Sequence, residues 1–185
     1  METITILDSI RLIVGVLILA YASYTDIKTR RASNYLWIIM GGIGAILLLI
    51  HYLLVGFENI YLLMFIPVMI GLVYLLFQLR LIFGGADAKA LMAIAILLPF
   101  QPNIENLPIW GESIMPGAWQ VFSNSIILFL FIPLSLLVYN LIKANIAFPH
   151  IFLGYKMKIE TAREKFVWPL EKIIDGKRKF VYMPK

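Results

Sequence analysis

Asp26 and Asp87 are the two residues whose type and placement could support chemistry: Asp26 closes the first apolar run of the chain and Asp87 opens the fourth. Two carboxylates brought close together cannot both ionise cheaply, so one keeps its proton. The ionised partner can then take a proton from a water attacking a peptide carbonyl, while the protonated one donates to the developing oxyanion or the leaving amine. Such a pair titrates as a unit, and neither residue is assigned the proton. Each aspartate also has a plainer role open to it. Asp87 could cap the N-terminus of the fourth helix, and Asp26 could be an interfacial acid neutralised by Lys28 or Arg30. Spacing alone leaves a dyad as one possibility. Other chemistries are closed off by composition. The chain has no cysteine, so thiol nucleophiles and Cys-ligated zinc are absent, and its two histidines, His51 and His150, form no HExxH pair. No metal and no cofactor are expected.

The elements that must hold these aspartates are membrane helices. With 61% hydrophobic and 15% charged residues, a chain of this size cannot hide its apolar surface as a soluble domain. Five apolar runs read as helices: Ile4–Tyr24, Tyr35–Val55, Ile60–Leu79, Ala88–Phe100 and Val121–Ile142. A hydrocarbon core of about 30 Å needs roughly 20 helical residues, and four runs meet that. The fourth covers only about 20 Å at about 1.5 Å per residue, so the segment entering it, Phe83-Gly84-Gly85-Ala86-Asp87, is expected to sit in a wet, protein-lined site. Glycines at 84 and 85 would let a substrate backbone approach and would permit positive φ. Asp8 and Arg11, spaced i, i+3, are expected to pair in the headgroup zone. Pro67 and Pro133 should kink the third and fifth helices, and Gly41, Gly42, Gly44 and Ala45 offer a close helix approach. The first run lacks a small-residue cleavage pattern and is expected to remain as a helix.

Basic residues set the orientation. Lys28, Arg30 and Arg31 follow the first run, Arg80 and Lys89 flank the third-to-fourth connection, and ten more Lys or Arg follow from Lys143 onward. The intervening loops carry Glu58, Glu105 and Glu112 and no base, and of 16 Lys and Arg only Arg11 lies on their side. The N-terminus is therefore expected outside and the tail in the cytoplasm, with Asp26 and Asp87 at one face of the plasma membrane. Residues 1–147 form the membrane bundle, and residues 148–185 form a basic region on the anionic inner leaflet. No base-stacking or helix-turn-helix pattern accompanies the charge, so nucleic acid is not an expected partner.

The stretch Tyr24-Thr25-Asp26-Ile27-Lys28-Thr29-Arg30-Arg31-Ala32-Ser33-Asn34 and the stretch Phe83-Gly84-Gly85-Ala86-Asp87-Ala88-Lys89 resemble the two active-site segments of type IV prepilin peptidases. The archaeal branch, the preflagellin and prepilin peptidases, is the nearest in pattern. These are GxGD-class membrane aspartyl proteases. The resemblance covers most of the chain in helix order. It implies catalytic Asp26 and Asp87, with Gly84, Gly85, Ala86 and Lys89 lining the substrate. It also implies cleavage of type IV pilin-like, class III signal peptides after a glycine at the cytoplasmic face. Ala86 stands where the pattern has its second glycine, a small-for-small exchange. Archaeal members usually carry a sixth helix, and this chain stops in the polar Phe180–Lys185, so a further C-terminal helix is the expectation. The bacterial Cys-rich zinc region has no counterpart here. The fold expected is an all-α polytopic bundle with a small cytoplasmic tail, its partners being precursor proteins and membrane lipids, with no oligomeric state implied.

Other hydrolase patterns fail. A Ser–Lys site on the outer face has no lysine there, and the nearest serine motif, Gly111-Glu112-Ser113, lies in the outer loop away from His51. A transporter or assembly subunit could use two acids as an ion or proton path. Such a path would place them near the bilayer midplane, whereas these two share one face.

Overall fold

The computed structural model describes residues 2–57, 60–82, 84–102, 104, 115–148, 150–164, 167 and 169–180. Phe83, Glu58, the loop residues Glu105, Pro108, Trp110, Glu112 and Ser113, and tail residues Lys165, Phe166 and Trp168 lie outside that set. The chain is mainly helical: α1 (Glu2–Thr29), α2 (Asn34–Val55), a 3-10 turn (Ile60–Met64) leading into α3 (Phe65–Gln78), α4 (Gly85–Leu97), α5 (Gly117–Ile142) and a short α6 (Ile159–Glu164). Four stretches, Thr3–Thr29, Asn34–Val55, Ile60–Gln78 and Gly117–Ile142, are long and apolar enough to cross a membrane. The bundle of long apolar helices agrees with the sequence reading. Pro67 is the third residue of α3, just past the point where the 3-10 helix Ile60–Met64 gives way to α-helix.

Two compact units divide the chain, Met1–Ser125 and Ile126–Lys185. In the first, α4 packs mostly against α2 and α3 and to a lesser extent against α1. Small side chains make that possible: Ala88, Ala93 and Ala95 are buried with Ile94 and Leu97. Gly44 is the closest point. A Cβ there would lie 2.7 Å from the Leu97 Cα, whereas at Gly42 it would meet nothing within 4 Å. Of the small residues on α2, then, Gly44 is the one that the helix contact requires.

Arg11 and Asp8 pair as expected, at 2.9 Å, but with side chains only 1% and 6% exposed rather than at the lipid rim. Arg11 also donates to the Leu47 carbonyl at 3.4 Å and lies 5.9 Å from the Phe100 ring. The pair is buried because the chain leaving α4 and the side of α2 cover it. Water is removed from both charges, and each becomes the other's main source of stabilisation.

In the second unit the α5 residues Ile126–Ile132 are all exposed, as a helix with lipid for solvent would have them. At the end of α5, fully buried Asn140 donates to the carbonyls of Ile151 (2.9 Å) and Gly154 (2.7 Å) and accepts from Asn145 (3.1 Å). One amide thus folds the chain back on itself after Ile142. Farther on, Glu171–Ile174 and Lys177–Phe180 form an antiparallel hairpin, β1 and β2. Its turn residues Asp175 and Gly176 both have positive φ (54° and 70°), the conformation that an Asp-Gly pair favours. This hairpin is the one departure from an all-helical reading among the described residues.

Candidate active site

Asp26 lies in the last turn of α1, which runs one turn beyond its expected end. The helix stops because Arg30 turns left-handed (φ 55°), its N–H still reaching the Asp26 carbonyl at 2.7 Å. The Thr29 hydroxyl bonds the Thr25 carbonyl at 2.8 Å within the same turn. Helix C-termini favour cations, so an acid in this turn does not serve the helix. Lys28, one candidate to neutralise it, lies 5.8 Å over the Tyr24 ring instead. The end of α3 repeats the device: Arg80 is left-handed (φ 60°), and Leu81 and Ile82 both donate to the Leu76 carbonyl, turning the chain toward α4.

α4 begins at Gly85 with Gly84 as its N-cap, three residues earlier than the sequence suggested. Asp87 is therefore the third helical residue rather than the cap itself, still in the first turn where a carboxylate meets the positive end of the helix. The positive φ expected of the glycines is not used. Gly84 has φ −89° and ψ 112°, open to any residue, and neither Gly84 nor Gly85 has positive φ. Gly84 is needed because the Asp87 carboxyl folds back over it: a Cβ at 84 would collide with Asp87 Oδ2 and lie 2.7 Å from its Cγ. Gly85 faces Phe77, whose ring carbons a Cβ would meet at an ordinary 3.8 Å. Ala86 is half-buried against the core.

The Asp87 carboxyl is pushed above the usual carboxylate range, first by loss of water around it and then by the charge of Asp26. The two residues, distant in sequence, are thus brought near one another where α1 contacts α4. Asp26 and Asp87 are both exposed, so water and an extended chain can reach them. Lys89 donates its ammonium to Asn34 Oδ1 at 2.8 Å. Asn34 is a residue that the sequence reading missed as part of the site. It stood inside the first resembling stretch, but nothing in a linear pattern pairs it with a lysine 55 positions away.

The sequence matches the Type IV leader peptidase family over residues 13–141. It is 36% identical over 143 residues to a preflagellin peptidase of Methanococcus voltae, a match that covers 69% of this chain and 57% of that protein. It is 30% identical over 172 residues to a preflagellin peptidase of Methanococcus maripaludis, covering 84% of this chain and 72% of that one. No solved structure matches the chain. With both aspartates inside a match that runs from within α1 to nearly the end of α5, the chain belongs to the type IV leader peptidase family.

Proposed function

We propose that the protein is a membrane aspartyl endopeptidase that removes type IV pilin-like signal peptides from archaellin or pilin precursors at the cytoplasmic face. The observation that carries the reading is the match to the type IV leader peptidase family over residues 13–141, which contains both Asp26 and Asp87. In the reaction, the ionised carboxylate takes a proton from water as the water oxygen attacks the scissile carbonyl. The protonated carboxyl donates to the carbonyl oxygen, and the C–N bond breaks as the leaving nitrogen gains a proton. The raised Asp87 carboxyl suits the shared-proton state, and the names of the two relatives support a flagellin-like precursor. The positive residues after α1, between α3 and α4, and after α5 support a cytoplasmic site and an N-terminus outside.

The test is co-expression with a precursor whose basic leader ends in glycine, comparing wild type with Asp26→Asn and Asp87→Asn. Each variant keeps side-chain volume and loses the titrating group, so cleavage should stop at normal membrane abundance. Full processing by either one eliminates the dyad.

A further inference from the structure

We propose that Asn34 is a positioning residue of this reaction, acting through Lys89. The inference rests on the endopeptidase reading. Asn34 opens α2, eight residues after Asp26, and Lys89 lies two residues after Asp87 on α4. Two residues on a helix are about 200° apart around its axis at 3.6 residues per turn. The Lys89 side chain thus leaves α4 on the side away from Asp87, and its ammonium meets Asn34 Oδ1 at 2.8 Å. The bond ties the connection that follows one aspartate to the helix that carries the other. It is a direct side-chain hydrogen bond between the two active-site stretches.

The partner's chemistry fits this role. An amide oxygen fixes the ammonium without cancelling its charge, so the link constrains geometry and leaves the positive field of Lys89 in place. Both side chains are exposed, and an exposed hydrogen bond adds little to folding. Its loss should therefore appear in the chemical step, where sub-ångström placement of reacting groups matters, and not in stability.

A double-mutant cycle on the full-length membrane protein tests this, with wild type and Asp26→Asn as reference arms. Asn34→Ala and Lys89→Met are each expected to lower kcat for precursor cleavage about tenfold, with KM within about twofold. The double variant should lose about tenfold rather than about a hundredfold, because the second change removes a link already broken. Lys89→Arg, which keeps a charged donor within reach, should recover most of the rate that Lys89→Met loses. Multiplied losses in the double variant, or wild-type rates in both single variants, overturn the proposal. If Asn34→Ala falls in abundance, the Lys89 pair and its rescue decide the question alone. A wild type that leaves the precursor uncut removes the endopeptidase reading and this inference together. Cleavage by wild type and undiminished cleavage by Asn34→Ala removes only the inference.

Discussion

Replacing Gly84 by alanine should damage catalysis while sparing the fold. The backbone angles at Gly84 (φ −89°, ψ 112°) are open to alanine. The added methyl, however, lies 2.7 Å from Asp87 Cγ, against the roughly 3.4 Å at which ordinary carbon contacts begin, so the carboxyl must withdraw by about 0.7 Å. The obstructing group is the end of a rotatable side chain, so the adjustment costs only about 0.5–1.5 kcal/mol of rotamer strain. Catalysis is less forgiving: a misplacement of about 1 Å can cost about a hundredfold, so a ten- to hundredfold loss is expected. Gly85→Ala is the internal control, because its methyl meets only Phe77 ring carbons at 3.8 Å. Cleavage of a purified precursor by the detergent-solubilised enzyme, with thermal unfolding alongside, measures both effects. Wild-type turnover by Gly84→Ala, or an equal loss from Gly85→Ala, would refute the idea that the methyl acts by displacing Asp87.

Three further outcomes follow from other parts of the bundle. Gly44→Ala sets a methyl against the backbone of Leu97, which cannot rotate away; separating α2 from α4 should cost about 1–3 kcal/mol in denaturant titration. Asp8→Asn leaves Arg11 buried without its counter-charge and should cost about 3–5 kcal/mol, whereas Asp8→Leu combined with Arg11→Met should cost far less. Asp26→Asn should lower the titration of Asp87, followed by its infrared carboxyl band, because one of the two causes of its upward shift is removed. The sign for stability follows from the same shift. The folded chain holds the Asp87 proton more tightly than the unfolded chain does. That contribution is present at low pH and is lost as pH rises from the ordinary carboxylate value toward the raised one, which thermal scans across that range can check.

The helices were legible because apolar runs of membrane length have few other solutions, and the basic loops made the two aspartates stand out. Boundaries were harder to read. α1 continues through Asp26 to Thr29, past the end of its apolar run, with the Thr25 and Thr29 hydroxyls bonded back to carbonyls of the same helix, and the start of α4 at Gly85 was hidden because a glycine cap gives no side-chain signal. The function of Gly84 was hidden for a related reason. Glycine in a sequence signals freedom of φ, whereas here it leaves room for a side chain three residues ahead. The pairing of Asn34 with Lys89 is a long-range fact that spacing does not encode. The hairpin could have been found: Ile173-Ile174-Asp175-Gly176 carries a strong short-range turn signal, overlooked because the tail was read for its charge.

Asp8 and Asp26 belong to one uninterrupted helix, 18 residues and so about 27 Å apart at 1.5 Å per residue. The helix is held at the Asp8 end through its own Arg11, which donates to the Leu47 carbonyl and lies over Phe100, and it carries a carboxylate at the other. A tilt of about 5° about that buried pivot would move Asp26 by about 2 Å at that arm length, and Ala22, buried in the core one turn before Asp26, is the contact that opposes it. Substitutions beside the pivot should consequently slow processing from the opposite end of the helix without touching either aspartate.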